Sequence, residues 1–474
     1  MGKSASQGTI TPTMQRVILL IAVISSFITP FDGSAVNIAL PAIGEEFSLD
    51  AVTLSWITTS YLLSIAILLV PFGKFADMRG RKRIFLIGIS TFSAASILLA
   101  FSGNAGVLIG LRLLQGAGCA MIFGTSLAIL SAAYPPGERG KVLGITIAAV
   151  YLGLSLGPSL GGIMTERLGW RSIFLVNAPL GILCILLTVW KLPLEWRDEP
   201  GEKFDIAGSL LWAVSLIATI YGLSILPSLA GAALIGTGIV LLVAFGILEL
   251  RVPSPVLNMQ LFLGNRVFAF SNFAALINYS ATYAVTFLLS LYLQVAKGFS
   301  AEYAGLILVA QPAMQALFSP LAGKLSDKID PGFVASAGMA VTVAGLFLLT
   351  FLDADSSIPF VLGCLLLLGV GFGFFSSPNT NAILGSVGRG DYGVASGMVG
   401  TMRLLGQMLS MGLAMTIFAV IIGKEEIGEG NIPELIESIH LAFLLFLALC
   451  VIGLSFSLVR GKKRGDGNEE VRDP

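Results

Sequence analysis

Runs of apolar residues, each about as long as a bilayer-spanning helix, follow one another along the whole chain, with short polar stretches between them. A helix needs roughly 20 such residues to cross the hydrocarbon core. Fourteen runs meet this requirement. They predict an all-α integral membrane protein without a sizeable soluble domain. Spans 1 to 14 are predicted at Met14–Leu40, Ala51–Pro71, Ile84–Phe101, Ala105–Tyr134, Lys141–Met164, Ile173–Trp190, Ile206–Ile225, Leu229–Leu248, Val267–Val295, Ala304–Leu325, Phe333–Phe351, Phe360–Asn381, Val394–Ile422 and Ile439–Val459.

An even number of spans places both termini on one side of the membrane, and the basic residues indicate which side. If both termini are cytoplasmic, most of the 28 Lys and Arg residues lie in the cytoplasm, as the positive-inside rule requires. One span more or fewer would move the basic tail after Arg460 outside, so the even number is favoured. The exceptions are Arg167, Arg171, Lys297 and Lys424 outside, with Arg112 and Arg403 inside spans.

Composition narrows the class of protein. Apolar residues make up 55% of the 474 residues and charged residues only 12%, with zero net formal charge, which argues against a nucleic-acid partner. The four cysteines lie in apolar runs without metal-ligand spacing, so neither a metal nor a cofactor is expected. The expected setting is the cell membrane, where a multi-pass monomer is surrounded by lipid.

A short motif occurs twice, at equivalent ends of two spans. Gly73-Lys-Phe-Ala-Asp77 closes span 2, and Gly323-Lys-Leu-Ser-Asp327 closes span 10, 250 residues later. The loops Pro136–Gly140 and Gly388–Gly393 repeat at nearly the same offset. The sequence therefore predicts a six-helix bundle in residues 1–200, two inserted spans in 201–260 and a second six-helix bundle with a basic tail in 261–474. A substrate site is expected between such repeats, near the membrane midplane.

The loop after span 2 carries a longer and more selective pattern. Its members are Gly73, Asp77, Arg79, Gly80, Arg81 and Arg83. The pattern resembles the signature loop of the major facilitator superfamily, and the chain is similar over nearly its whole length to the fourteen-spanner drug:proton antiporter branch. The resemblance implies that this loop latches the cytoplasmic side in the outward-facing state, where Asp77 meets the positive N-terminus of a helix in the other half.

Two further motifs support the antiporter branch. In span 4, Arg112-Leu-Leu-Gln115 resembles a motif whose arginine is implicated in proton coupling. Span 5 carries a face of small residues with a proline, similar to the antiporter motif that helps to seal the outer side; its members are Gly153, Gly157, Pro158 and Gly161. Generic helix packing is the alternative interpretation of the glycines, but the corresponding stretch of span 13 lacks the proline.

These resemblances imply a proton-coupled antiporter that exports small amphipathic or lipophilic compounds, as in multidrug efflux, by alternating access. A lipid flippase, or a metabolite exporter or uniporter of the same fold, is the alternative. An ATP-driven pump would need a phosphate-binding G-x-x-x-x-G-K-[ST] loop, which the sequence lacks. An enzyme would need clustered acids or histidines within the bilayer, and the chain has one histidine, so catalysis is not expected.

Asp32 is the one acidic residue that the pattern places deep within an apolar span. An ionised carboxylate there is costly, so such a residue is a functional candidate by default. Burial favours its protonated form and a nearby cation its ionised form, which is the behaviour of a proton carrier. We expect Asp32, Arg112 and Arg403 to take part in proton coupling. The alternative is a structural ion pair that joins spans 1 and 4.

Polar and aromatic side chains within the spans are predicted to line a substrate cavity of mixed polarity. For each of them, a hydrogen bond between helices is the alternative role. The predicted set is Asn37, Trp56, Gln115, Asn278, Tyr283, Gln311, Gln315 and Gln407.

Overall fold

The computed structural model describes residues 11–197, 204–253, 255–388, 392–423 and 425–460, and all regular elements in this part are helices. Several features predicted from the sequence lie outside the described residues. They are Lys424, the middle of the loop Gly388–Gly393, the boundary at residues 200 and 201, and the basic tail after Arg460.

Fourteen helices in the described part are long and apolar enough to cross a membrane, which confirms the predicted fold class and number of spans. Many extend past the predicted apolar run, because helical hydrogen bonding continues through polar residues at the membrane interface. The spans are Pro12–Phe47, Ala51–Arg79, Arg81–Leu99, Ala105–Ala133, Pro136–Leu168, Arg171–Lys191, Ile206–Ser224, Leu229–Glu249, Arg266–Ala296, Ala301–Ser326, Pro331–Leu349, Ile358–Gly385, Tyr392–Ile421 and Ile432–Val459. A short helix that the sequence pattern did not predict, Met259–Gly264, precedes span 9.

Side-chain caps explain several of these boundaries. Span 1 continues past Pro41 to Phe47, and Asp50 then starts span 2 by accepting hydrogen bonds from the Val52 and Thr53 amides at 3.0 and 2.9 Å. Asn104 caps span 4 in the same way. Such caps satisfy amides that have no partner within the helix.

The two six-helix bundles share one packing plan. In the first, span 1 packs on span 5, span 4 on spans 2 and 3, and span 6 on span 3. In the second, span 9 packs on span 13, span 12 on spans 10 and 11, and span 14 on span 11. Equivalent spans therefore have equivalent neighbours, as parallel repeats require.

Glycines bring neighbouring backbones together at equivalent places in both bundles. A Cβ at Gly118 in span 4 would lie 2.6 Å from the Phe92 amide nitrogen of span 3. In the second bundle, a Cβ at Gly338 of span 11 would lie 2.5 Å from the Phe374 carbonyl carbon of span 12. Close contact matters here because lipid provides no hydrophobic drive for helices to associate.

The inserted spans 7 and 8 pack outside the two bundles. Trp212 of span 7 donates from Nε1 to the Ala66 carbonyl of span 2 at 3.0 Å. Thr416 of span 13 donates to the Leu223 carbonyl of span 7 at 2.9 Å. Span 7 therefore contacts one helix of each bundle.

Spans 9 and 10 are interrupted. Span 9 breaks after Thr282, where the Ala284 amide donates to Ser410 Oγ at 3.0 Å. Span 10 breaks at Val309, since Pro312 has no amide hydrogen and its ring crowds the preceding turn. Both breaks lie beside the interface between the bundles.

Span 1 begins and span 14 ends on one face of the molecule, called here the terminus side, and the opposite face is the far side. On the far side the two bundles meet at small residues of spans 5 and 10. A Cβ at Gly162 would lie 2.3 Å from the Ala301 carbonyl oxygen, and one at Gly305 would lie 2.1 Å from the Pro158 carbonyl oxygen. Arg167 and Glu302 form an ion pair of 2.9 Å across the same contact. These residues form the far-side seal.

The predicted glycine face of span 5 packs within the first bundle, beside this seal. A Cβ at Gly157 would lie 1.8 Å from Ser34 Oγ, and Cβ atoms at Gly153 and Gly161 would meet the span 1 backbone at Phe27 and Ala35. Span 5 therefore uses two glycine surfaces, one toward span 1 and one toward span 10.

We predict that Gly162→Val opens the far-side seal without unfolding the protein. The added side chain has no room beside the Ala301 carbonyl, whereas the contacts within each bundle are untouched. Spin labels at the exposed residues Leu168 and Phe351, on different bundles, should show a longer mean separation by double electron–electron resonance.

Gly144→Val is the matched control, because it changes the same helix where a Cβ would meet nothing within 4 Å. It should leave the label separation unchanged. Gly157→Val should lower thermal stability instead, since it collides with Ser34 inside the bundle. An equal distance between the two spin labels in all three variants would contradict the assignment of the far-side seal.

Candidate functional site

A cavity of about 290 Å³ lies between the two bundles. Its volume is near the lower end of small-molecule pockets, roughly 300–1,000 Å³. Spans 1, 2, 4 and 5 line it from one bundle, and spans 9, 10, 12 and 13 from the other. It ends beneath the far-side seal next to Pro158 and Thr286, and it extends toward the terminus side along Phe123, Leu127 and Thr146.

The cavity wall combines aromatic rings with amide side chains. Tyr279 and Phe372 stand edge to face, with ring centroids 5.1 Å apart, and Tyr61 and Tyr283 also line the space. Five residues of the predicted cavity set are present in the wall: Asn37, Tyr283, Gln311, Gln315 and Gln407. Such a wall can bury a ring system while offering hydrogen bonds to its polar edge.

The other three predicted cavity residues lie elsewhere. Trp56 packs against Tyr221 of the inserted span 7, with ring centroids 6.4 Å apart. Gln115 is fully buried and donates from Nε2 to Ser96 Oγ at 2.9 Å. Asn278 is fully buried as well and is absent from the cavity wall. The sequence pattern placed all three residues within spans, but helical phase directs their side chains to other neighbours.

Asp32 is fully buried and holds three spans together. Its Oδ2 lies 2.6 Å from Arg112 Nη1. Its Oδ1 accepts hydrogen bonds from Gln115 Nε2 at 3.1 Å and from Asn177 Nδ2 at 2.7 Å. Spans 1, 4 and 6 therefore meet at one carboxylate, whose charge is balanced by one guanidinium.

Arg112 connects this pair with the cavity wall. Its guanidinium carbon lies 4.1 Å from the centroid of the Tyr61 ring, and its Nε donates to the Ile57 carbonyl at 3.2 Å. Tyr61 and Gly33, the neighbour of Asp32 in sequence, both line the cavity. The ion pair thus lies one layer of side chains behind the wall.

Arg403, the third residue expected to take part in proton coupling, lies apart from the Asp32–Arg112 pair. It lines the cavity from span 13, within side-chain hydrogen-bonding reach of Tyr279. The two intramembrane arginines consequently occupy different surroundings: Arg112 binds a buried carboxylate, and Arg403 borders the cavity.

Two buried polar groups were not among the site residues predicted from the sequence. Asn177 completes the Asp32 site, and its position inside a strongly apolar run was the available signal. Glu249, the last residue of span 8, is only 2% exposed and accepts from the Leu257 amide at 2.7 Å, so a second acid is buried at the end of a span. Glu249 lies next to Asp205, the N-cap of span 7.

The signature loop makes its described contacts within the first bundle. Gly80 has a φ of 120°, and a Cβ there would lie 2.6 Å from the Glu195 carboxyl group. Glu195 accepts from the Lys82 amide at 2.8 Å, at the N-terminus of span 3. Asp77 Oδ1 lies 2.6 Å from Arg81 Nε. Arg83 reaches Glu195 Oε2 at 3.6 Å and is largely exposed, and Arg79 stacks over Phe75.

A comparison with known proteins agrees with this architecture. The family model described as Major Facilitator Superfamily matches residues 22–271 and again 271–473. The chain is also similar to a crystal structure of a bacterial homologue of the human lysosomal transporter Spinster, in an inward-facing and unoccupied conformation. That similarity has a TM-score of 0.71 at 15% identity and covers 96% of this chain and 98% of the other, so it concerns the fold alone.

Relatives in sequence include a transporter and a drug-resistance protein. The chain is 32% identical over 441 residues to the riboflavin transporter RibZ of Clostridioides difficile, covering 92% of this chain and 96% of the relative. It is 31% identical over 411 residues to the multidrug resistance protein Stp of Mycobacterium tuberculosis, covering 85% and 76%. The chain therefore belongs to the Major Facilitator Superfamily, among relatives of the drug-efflux type, and is a multi-pass membrane transporter of small molecules rather than an enzyme.

Proposed function

We propose that this transporter is a proton-coupled antiporter that exports small amphipathic or lipophilic compounds by alternating access. The observation that carries the proposal is the buried Asp32–Arg112 pair, one layer of side chains behind a cavity between the bundles. Asp32 can change charge, whereas the arginine cannot. A titratable group beside a substrate cavity offers a route for protons to influence transport.

The described conformation fits one stage of such a cycle. The far-side seal is closed, and the cavity extends toward the terminus side, which we propose is the cytoplasmic side because most basic residues lie there. With Asp32 bound to Arg112, the ionised carboxylate is stabilised, as expected after release of a proton inside. Opening of the far side would let a proton reach Asp32, neutralise it and weaken its attraction for Arg112.

Transport of a metabolite is the second candidate. The wall of Tyr279, Phe372, Tyr283 and several glutamines suits a flat ring system with a polar edge, and one relative is named as a riboflavin transporter. The two candidates differ in substrate range and share the cavity. A screen of proteoliposomes with a broad set of compounds would separate a single flavin-like substrate from many.

We predict that Asp32→Asn abolishes transport driven by a pH gradient in proteoliposomes, because an amide cannot carry the proton. Exchange of substrate without a gradient should persist. The variant leaves the Arg112 charge uncompensated, and loss of one partner of a buried pair costs about 3–5 kcal/mol, so its thermal stability must be measured in parallel.

The double variant Asp32→Asn with Arg112→Gln separates coupling from structure, because it removes both charges and restores neutrality. If Asp32 carries the proton, the double variant regains stability but still fails to respond to the pH gradient. If the pair is purely structural, gradient-driven transport returns with stability. Asp355→Asn, an exposed acid between spans 11 and 12, is the control for loss of one carboxylate and should behave as wild type.

A further prediction concerns the signature loop. Asp77→Ala should weaken the latch on the terminus side, so that conformations open to that side gain population during turnover. A cysteine at the cavity residue Thr146 should then react faster with a maleimide reagent. Asp327→Ala, the equivalent change in the second copy of the motif, should have little effect. Equal changes in both variants would argue that Asp77 acts only as a surface charge.

A further inference from the structure

The cavity carries an unbalanced charge. Among the residues that the structure places in its wall, Arg403 alone is fully charged at neutral pH. The Asp32–Arg112 pair lies behind the wall and is neutral as a unit. In the described part of the chain Arg403 forms no ion pair. The surface that a substrate meets between the bundles is therefore positive.

A lone guanidinium in such a place has an electrostatic consequence. It remains protonated under all physiological conditions, and an unpaired charge within the membrane is unfavourable without a counter-charge or water. Apolar walls also focus its field into the cavity. A ligand that brings a negative group gains a charge-assisted hydrogen bond, and a cationic ligand is repelled.

The residues around Arg403 also favour a particular ligand shape, namely a flat aromatic ring system. Tyr279 lies beside the guanidinium, and its ring meets Phe372 edge to face. Gln407, one helical turn after Arg403 on span 13, faces the same cavity. An aromatic ring system could therefore pack on Tyr279 and Phe372 while its acidic group meets Arg403, and Gln407 could bond to a further polar edge.

We infer that the cavity selects flat aromatic compounds that carry an anionic group, with Arg403 as the residue that binds the anion. The inference rests on the proposal that this cavity is the transport site, and it narrows the amphipathic substrates proposed above. Compounds with a permanent positive charge are predicted to be poor ligands, and Arg403 contributes to substrate selection rather than to the proton site.

The test is equilibrium binding to the purified full-length protein in nanodiscs, without a pH gradient. Three probes share one ring system and differ in charge: anthracene-2-carboxylate, 2-(hydroxymethyl)anthracene and 2-(aminomethyl)anthracene. We expect the carboxylate to bind most tightly and the amine most weakly. Arg403→Gln should weaken binding of the carboxylate by about ten- to hundredfold, the range of a hydrogen bond to a charged group, and should change binding of the alcohol little.

Two further variants give the comparison its controls. Arg403→Lys keeps the charge but loses the planar fork, so part of the preference for the carboxylate should remain. Arg266→Gln makes the same charge change outside the cavity, where Arg266 stacks on Phe270, and should bind all three probes as wild type does. Thermal unfolding of each variant identifies any loss of folded protein.

Tightest binding of the amine, an equal loss for all three probes in Arg403→Gln, or no binding of any probe would each overturn the inference. The proposed proton coupling fails by a different result, namely gradient-driven transport by the double variant at Asp32 and Arg112. Because the binding assay contains no gradient, anion selection can hold while coupling fails, and coupling can hold while selection fails.

Discussion

Asp32 lies where no bulk water can stabilise its charge, so the neighbouring spans have to supply every partner of the carboxylate. Arg112 provides the counter-charge, and Gln115 and Asn177 provide hydrogen bonds. Burial of a charge is tolerated only when it is paired and hydrogen-bonded in this way. Spans 1, 4 and 6 therefore meet at one carboxylate. If Asp32 takes up a proton, as proposed, these contacts weaken in the bundle that carries one side of the cavity wall.

The opposite charges of Asp32 and Arg112 cancel each other, and this also determines which charge a substrate meets in the cavity. If Asp32 faced the cavity without Arg112, the wall would contain both signs and would favour neither. Because the two charges cancel behind Tyr61, Arg403 of the opposite bundle is left to set the potential of the cavity. The first bundle thus contains the titratable group, Asp32, and the second bundle presents the fixed positive charge of Arg403 to the cavity. Such a division would let proton binding and substrate binding influence each other through helix movement, without a shared residue.

The sequence allowed prediction of the number of spans, their approximate bounds and the burial of Asp32, because each depends on local hydropathy. It also indicated Arg112 as the partner, through a motif at the right depth. It could not show which way each polar side chain points: Trp56, Gln115 and Asn278 satisfy the same compositional rule as Gln407 but lie outside the cavity wall. Nor could it separate the two arginines, since Arg112 and Arg403 differ only in neighbours contributed by distant parts of the chain. The direction in which a side chain points, and the residues that it contacts, depend on tertiary structure. A hydropathy pattern along the sequence carries little information about either.

The two bundles also show how one packing plan accommodates different chemistry. At the terminus side of the first, Glu195 follows span 6 and binds the N-terminus of span 3, where a carboxylate is favoured by the helix dipole. At the equivalent place in the second, Arg460 follows span 14 and donates to the Gly332 carbonyl at the start of span 11, as well as to Ser271 and Asn379. There Asp330 of the chain before span 11 accepts a hydrogen bond from the Phe333 amide, and the Arg460 guanidinium binds a carbonyl instead of an amide. The residue that follows the sixth helix therefore contacts the start of the third helix in both bundles, with a carboxylate in the first and a guanidinium in the second.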